Sequence, residues 1–192
     1  MAYVSRGFIP QTSLASNLGF TRPMYIPAGN STATALYDIV KVSTSGSTAD
    51  TAGVPAGLMG CVRVSDKDDV PCGVIVGFIA DPEYLNQTYR SASTARVALV
   101  NYDPQVVLEA QEDDNGTTLA VARIGTPVDL VPGSIDTVTG TSGMQISSAT
   151  LAGSPGMFRL QQRSFAVDNA AIAGTNTKWL VTFNTHQFKA TA

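Results

Sequence analysis

The stretch that decides the fold is Thr177-Lys178-Trp179-Leu180-Val181-Thr182-Phe183-Asn184, near the end of the 192-residue chain. Trp179, Val181 and Phe183 point one way in an extended chain, while the polar residues Lys178, Thr182 and Asn184 point the other way. Because successive side chains of a strand point to opposite faces, this alternation predicts a β-strand with one core face and one wetter face. Trp179, Val181 and Phe183 are therefore predicted to anchor the core.

The same kind of pattern recurs along the whole chain. Short apolar runs are bounded by clusters of Gly, Pro, Asn and Asp, as is typical of successive strands and turns. Strands are predicted at 24–26, 35–42, 58–64, 70–79, 96–102, 105–112, 119–124, 144–149, 157–162 and 178–188. About ten short antiparallel strands at such spacings predict an all-β sandwich or barrel. A weak helical pattern at 81–95 starts with Asp-Pro-Glu.

The strand predicted at 70–79 is apolar on both faces. Val74, Val76 and Phe78 share one face, and Ile75 and Ile79 lie on the other. A strand buried on both sides belongs in the middle of a sandwich or under a partner subunit. Val74, Val76 and Phe78 are added to the predicted core anchors.

Residues 1–22 have scattered apolar positions without a period of two or 3.6. Such a segment cannot form a core alone, so we expect an extended N-terminal arm that is ordered by docking on a neighbouring subunit. A frayed terminus with a short helix near 11–18 is the alternative. The predicted partner contacts are Phe8, Ile9, Leu14, Leu18, Phe20 and Arg22. Residues 23–192 are predicted to form the β domain, with a division into two lobes near 90–95 left open.

Composition narrows the possible partners. The formal net charge is −3 with no run of Lys or Arg, which argues against binding to nucleic acid. Only 14% of residues are charged, so either partners cover part of the exterior or the surface is rich in Ser, Thr and Asn. The N-terminus lacks the pattern of a secretion signal, and no apolar run is long enough to span a bilayer. We therefore expect synthesis in a cytoplasm and no membrane partner.

The chain contains two cysteines, Cys61 and Cys72. If residues 65–68 form the tip of a hairpin, these two face each other across adjacent strands. A disulfide in that geometry is strained, and thiols in a cytoplasm stay reduced. The prediction is therefore two packed free thiols in contact.

Residues suited to catalysis or metal binding are few. His186 is the sole histidine, and no Gly-x-Ser-x-Gly element accompanies it, so we expect a strand-end histidine bonded to backbone. The acidic clusters at 66–69 and 112–114 lack the spacing of a calcium loop and are expected to be solvated turns. No catalytic residue, metal or cofactor is predicted.

Four motifs in the second half of the chain follow one another in order. They are Asp103-Pro104 with Glu109-x-Gln111-Glu112-Asp113, Gly125-x-x-x-Asp129-Leu130-Val131, Thr139-Gly140-x-Ser142-Gly143, and Lys178-Trp179-x-Val181-x-x-Asn184-x-His186-Gln187. In order and spacing this set resembles the head decoration (capsid cement) proteins of tailed bacteriophages, over about half of the chain. One departure is that Asp168-Asn169 is followed by an Ala-rich loop at 170–174 instead of a longer polar turn.

The resemblance implies a structural virion protein and not an enzyme. Such a protein would bind the outer surface of a phage capsid, join neighbouring major capsid protein subunits and stabilise the expanded head. Its expected partners are the major capsid protein and further copies of itself, as a dimer or trimer. The alternative is a carbohydrate-binding β-sandwich on a virion surface, with Tyr84, Tyr89 and Tyr102 as aromatic platforms. A third possibility is a hydrolase that depends on His186.

Overall fold

A computed structural model describes residues 5–14, 20–48, 54–82, 85–113, 115, 118–149, 155–166, 169 and 176–189. These residues form twelve strands and one short 3₁₀ helix, Val121–Arg123. The strands are β1 Ile9–Ser13, β2 Thr21–Ile26, β3 Ile39–Ser43, β4 Gly60–Arg63, β5 Gly73–Phe78, β6 Arg96–Asn101, β7 Val106–Gln111, β8 Pro127–Val128, β9 Leu130–Val131, β10 Gln145–Ile146, β11 Phe158–Arg163 and β12 Lys178–Phe183. The predicted all-β class is confirmed.

The first half of the chain closes into a five-stranded barrel, in the order β2-β4-β3-β5-β6. Its longest pairing joins β2 and β6 in antiparallel register from Thr21↔Asn101 to Ile26↔Arg96. One contact, Tyr25↔Gly60 between β2 and β4, is parallel and closes the barrel. Closure removes free strand edges, so this half presents no edge for pairing with another chain.

The second half forms an open five-stranded antiparallel sheet in the order β1-β7-β12-β11-β8, with β10 and β9 as a separate pair. The division between barrel and sheet falls at residues 102–105, between β6 and β7. In the central strand, Trp179 and Val181 are fully buried, as expected for the core face of an alternating strand. The large core beneath this sheet includes Phe8, Phe158 and Phe183.

Two separate cores meet at β5. Val74 belongs to the large core under the sheet, whereas its neighbour Ile75 belongs to the small core inside the barrel. Ile39 and Val40 of β3 divide in the same way. Burial within this one chain therefore explains why these strands are apolar on both faces. Of the two alternatives, this is the middle of a sandwich, and no partner subunit is required.

The N-terminal segment is extended but lies in the chain's own sheet. Strand β1 pairs with β7, from Ile9↔Glu109 to Ser13↔Val106. Gly7 makes this entry possible, because its φ is +76° and a Cβ there would overlap Ser142. Residues 9–13 therefore complete the sheet, and the last two residues of the expected arm, 21 and 22, begin strand β2 of the barrel. Residues 1–4 and 15–19 of the expected arm lie outside the described part of the chain.

Three local predictions are wrong. The strands around 65–68 do not pair as a hairpin, because β3 lies between β4 and β5 in the barrel. The described residues of 81–95 form turns and one bridge instead of a helix. Residues 119–124 contain the 3₁₀ helix instead of a strand.

Candidate functional site

The structure separates the predicted partner contacts into buried and exposed groups. Phe8 is fully buried and stacks on Phe158 with ring centroids 4.5 Å apart, so its assignment to a partner contact is corrected to a core residue. Ile9 is half-buried in β1. Leu14 and Phe20 are exposed. Arg22 is half-buried, and Leu18 lies outside the described residues.

The predicted core anchors also divide into two groups. Val74, Trp179, Val181 and Phe183 lie in the large core. Val76 is partly buried against the large core, and Phe78 is partly buried against the barrel core.

Phe20 forms one wall of an aromatic groove. Its ring centroid lies 6.1 Å from that of Tyr102, and the Tyr102 centroid lies 6.0 Å from that of Phe188 in an edge-on arrangement. The groove has a volume of about 390 Å³ and is also lined by Asp103, Pro104 and Gln105. Half of the Phe20 side chain remains exposed to solvent. We call these six residues, together with Arg22, the aromatic groove.

Strand pairing in the barrel brings two of these rings together. Phe20 immediately precedes β2, and Tyr102 immediately follows β6, in strands whose ends pair at Thr21↔Asn101. The Tyr102 N–H donates to the Phe20 carbonyl at 2.9 Å, which continues the ladder by one further bond. The relative position of the two rings is therefore determined by the barrel.

The third ring comes from the C-terminal segment that follows β12. Gln187 fastens this segment to the barrel, since its N–H donates to the Pro71 carbonyl at 2.8 Å and its Oε1 accepts from the Val42 N–H at 2.7 Å. Phe188, the next residue, is thereby held against Tyr102. The groove thus exists only where the two halves of the molecule meet.

Arg22 is the cation of the groove. Its guanidinium carbon lies 5.2 Å from the Tyr102 ring centroid and 5.7 Å from that of Phe188, within the range of a cation–π interaction. Its Nη2 contacts the Met59 sulfur at 3.4 Å. Among the described residues, the ion pairs are Lys41–Asp69, Arg63–Asp38 and Lys67–Asp68, so none involves Arg22.

Asp103, the carboxylate in the groove, is already committed to internal hydrogen bonds. Its Oδ2 accepts from the Ser13 hydroxyl, and its Oδ1 accepts from the Gln105 N–H at 2.9 Å. The residue is buried. Asp103 therefore shapes the turn that carries Pro104 and Gln105, and its oxygens are not available as a binding group.

His186 lies under the groove and is nearly fully buried. Its ring packs 5.0 Å from that of Phe183 and 5.8 Å from that of Phe188, and its Nδ1 accepts from the Phe188 N–H at 3.1 Å. Burial lowers the pKa of His186 to about 4, although the Cys72 carbonyl and Asp103 oppose this shift. The histidine is thus neutral near pH 7 and bonded to backbone. Its ring packs between the core residue Phe183 and the groove residue Phe188.

The two cysteines lie in the barrel core as free thiols. Because β3 separates their strands, they do not face each other across a hairpin as predicted. Burial raises the pKa of both thiols, that of Cys72 to about 12. Buried protonated thiols act as small apolar side chains.

The acidic turn at 66–69 borders a second groove of about 490 Å³, which is also lined by residues 129–132. Its carboxylates are engaged locally: Asp69 pairs with Lys41 at 2.5 Å, and Asp68 pairs with Lys67 at 2.9 Å. The carboxylates that line the groove itself are those of Asp129 and of Asp66, whose Oδ1 accepts from the Asp68 N–H at 3.0 Å, and the ammonium of Lys67 lies beside them.

The second acidic cluster lies against the core. Glu112 Oε2 accepts from the Leu119 N–H at 2.9 Å and from the Trp179 Nε1–H at 3.3 Å, and burial raises the pKa of Glu112. Asp113 accepts from the Ser148 N–H at 2.7 Å. Both residues are buried, so the expectation of a solvated turn is wrong for 112–113. Residue 114 lies outside the described part of the chain. In that described part, no three His, Cys, Asp or Glu side chains are grouped so as to hold a metal ion.

The sequence prediction missed two features of the groove, namely Phe188 and the position of Tyr102 beside Phe20. A signal for the second was present, because Phe20 and Tyr102 flank two apolar strands that could pair. Phe188 follows a strand end and gave no periodic signal. Of the proposed sugar platforms, Tyr89 is half-buried, and Tyr84 lies outside the described residues.

Comparison of the chain with protein-family models and with curated proteins found no match. In the part of the chain that the structure describes, no helix has the length and apolar character required to cross a membrane.

Proposed function

We propose that this protein is a non-enzymatic structural protein of a tailed-phage virion that binds the outer surface of the capsid. In this role it joins neighbouring major capsid protein subunits and stabilises the expanded head. The observation that carries the proposal is the aromatic groove, in which exposed Phe20 and Phe188 surround a cation that has no ion-pair partner among the residues the structure describes. Aromatic and Arg side chains are the residues that dominate protein–protein interfaces.

The groove is suited to an interface because its neighbours are also apolar. Leu14 and Met59 are exposed beside it: the Leu14 N–H donates to the Gln105 carbonyl, and the Met59 sulfur contacts Arg22. Clustered exposed apolar side chains on a soluble chain indicate a binding surface, whereas isolated ones do not. Both halves of the fold have their own buried cores, so this surface is available without unfolding any element.

Stabilisation of a shell follows from many modest contacts. A protein that touches two neighbouring capsid subunits, directly or through an oligomer of itself, raises the effective concentration of each contact. Separation of the subunits then requires all contacts to break together. The same argument holds for a dimer or a trimer.

The carbohydrate-binding alternative is less well supported. A sugar ring stacks on a free aromatic face, but Tyr102 has the Arg22 guanidinium over its ring and the edge of Phe188 beside it. The Phe20 ring, half of which is exposed, is tilted against that of Tyr102. We therefore favour a protein partner.

The test adds purified protein to undecorated, expanded heads of the phage that encodes it and measures stoichiometric attachment after sedimentation. The double variant Phe20→Ser/Phe188→Ser is expected to attach at least tenfold more weakly, since two aromatic anchors are lost. Val138→Ser is the matched control, because Val138 is exposed and lies outside the groove. Absence of wild-type attachment, or equal attachment of the double variant, would refute the proposal.

Deletion of residues 1–22 is not a clean test. It would remove Phe8 from the large core together with strand β1 and the start of β2. Point substitutions at exposed positions avoid this loss of folded structure.

A further inference from the structure

Arg22 and Phe20 project from the same face of the chain at the start of β2, since they are two residues apart in an extended segment. The Arg22 guanidinium is held between Tyr102 and Phe188, with Met59 against Nη2. Stacking uses the flat face of a guanidinium and leaves its N–H donors, which lie in the plane, for other partners. A thioether sulfur is a weak acceptor. Within the described part of the chain, Arg22 therefore holds several strong donors in a fixed plane with only the Met59 sulfur as acceptor.

The charge of Arg22 is also not neutralised within the described residues. The carboxylate in the groove, Asp103, is bonded to Ser13 and to the Gln105 N–H. The described ion pairs use Lys41, Arg63 and Lys67 instead. An arginine fork matches the geometry of a carboxylate, with which it forms two parallel hydrogen bonds. Charge complementarity therefore points to an acidic ligand.

The apolar walls of the groove indicate which ligand groups lie beside the carboxylate. Phe20 and Phe188 stand beside Arg22, and Leu14 and Met59 extend the apolar surface. When a ligand covers these walls, water is excluded and an ion pair at the groove is strengthened. A free inorganic anion would leave these walls uncovered, whereas an acidic residue followed by an apolar one would cover them.

We propose that the aromatic groove binds an acidic segment of a partner protein, with an Asp or Glu carboxylate on Arg22 and an adjacent apolar side chain against Phe20 and Phe188. This inference rests on the proposed function, in which the partner is the capsid protein. A second copy of this chain is a different occupant, which the experiments below distinguish.

The first experiment needs no phage heads. A library of random short peptides is selected on the immobilised wild-type protein, and the best binder is synthesised with its acidic residues intact or replaced by Asn and Gln. Fluorescence anisotropy is expected to show roughly tenfold tighter binding of the acidic peptide, as for a charge-assisted hydrogen-bond pair. The preference should disappear in Arg22→Gln, weaken in Arg22→Lys and persist in Lys67→Gln, which removes the same charge elsewhere.

Each of these measurements either supports or overturns the inference. Selection of no peptide, selection of neutral peptides, or an acidic preference that survives in Arg22→Gln overturns the inference, provided that thermal unfolding shows an intact fold. Self-association of the protein that is lost in Arg22→Gln also overturns it, because the occupant is then a second copy.

The second experiment separates this inference from the proposed function. Attachment of wild type and Arg22→Gln to undecorated heads is measured over a range of salt concentrations. If wild type attaches and Arg22→Gln attaches equally at every concentration, the inference fails and the proposed function stands. If wild type does not attach while the acidic-peptide preference persists, the proposed function fails and the ligand chemistry of the groove stands.

Discussion

The barrel and the open sheet achieve their stability by different means. The barrel encloses a small core that contains Cys61, Cys72 and Ala98 and has no free edge. The sheet covers a large core with aromatic residues such as Trp179 and Phe158, and β1 and β8 are its edge strands. The exposed rings of the groove are therefore not core residues left uncovered, because each core consists of its own cluster of buried residues.

A second difference lies in the loops. The loops of the barrel are held by Arg90, whose guanidinium is fully buried and donates to the carbonyls of Pro27, Asn30, Thr32 and Thr94 at 2.6–2.9 Å. The contact between the two halves instead uses a buried carboxylate, that of Asp38 in the first half. It accepts from the Ser142 hydroxyl of the second half at 2.6 Å and pairs with Arg63 of the first half at 2.9 Å. Desolvation by burial lowers the pKa of Arg90 to about 10 and raises that of Asp38.

The largest effect is expected for Trp179→Ala. Loss of this buried ring, and of its bond to Glu112, should lower the free energy of unfolding by about 3–5 kcal/mol. Urea titration followed by far-UV circular dichroism measures this, since the chain has one tryptophan and the variant loses its fluorescence. Phe165→Ala, at a ring that is 87% exposed, is the control and should change stability by less than about 0.5 kcal/mol. Equal losses in the two variants would contradict the assignment of the core.

The same titration tests whether the halves are independent. Ile39, Val64 and Val74 of the barrel half belong to the large core, so one cooperative transition is expected. Two separated transitions would show that the barrel folds by itself.

The next effect in size is expected for Arg90→Met. Four buried carbonyls would lose their donor, at a cost of about 3 kcal/mol in the free energy of unfolding. Hydrogen exchange should accelerate in the loops at 27–34 and 90–94 while β12 stays protected. Arg159→Met, at an exposed arginine of the sheet, is the matched control and should cost less than about 1 kcal/mol. Uniform acceleration across both halves would argue against a local role for Arg90.

A smaller effect is expected from pH at the contact between the halves. The folded-state pKa of His186 is about 4, below the unfolded value near 6.5, so the unfolded chain takes up the proton first as pH falls. The stability contribution is complete above pH 6.5 and is lost as the pH falls toward 4, by roughly 2–3 kcal/mol. Asp38 and Glu112 have raised carboxyl pKa values and act in the opposite direction.

The difference between wild type and His186→Gln isolates the contribution of the histidine. Urea titrations between pH 7 and pH 4 should show that wild type loses more stability than the variant over this interval. Parallel losses in the two proteins would mean that His186 is not the group responsible.

The smallest effect on stability is expected for Leu14→Ser. Leu14 is 67% exposed at the end of β1, so the free energy of unfolding should change by less than about 0.5 kcal/mol. Attachment to heads should nevertheless weaken several-fold, because Leu14 adjoins the groove. Val138→Ser, at a side chain that is 90% exposed and lies outside the groove, should leave both quantities unchanged. A loss of stability in Leu14→Ser without weaker attachment would assign Leu14 to the sheet edge alone.

Much of the sheet half could be predicted from sequence. Trp179, Val181 and Phe183 occupy every second position, and a strand with one buried face determines its own register. The barrel was harder to predict. A strand that is apolar on both faces, such as that containing Val74 and Ile75, shows no periodicity that distinguishes one core from the other. The order of β3 between β4 and β5 depends on contacts distant in sequence, which no local pattern encodes.

The site was predicted only in part. Phe20, Arg22 and Leu14 were singled out as apolar or cationic residues without a periodic role, and the structure places them at the surface. Phe8 was grouped with them for the same reason, but Gly7 turns the chain so that Phe8 enters the core. The difference between these residues is determined by one backbone conformation, which composition and spacing do not show.

The most direct test of the account is a cryo-electron microscopy map of decorated heads at side-chain resolution. The expected arrangement has Phe20, Arg22 and Phe188 facing the shell and covered by an acidic segment of the capsid protein, with β8, the sheet edge opposite β1, pointing away. A map in which the protein sits on the shell with the groove open to solvent would contradict it.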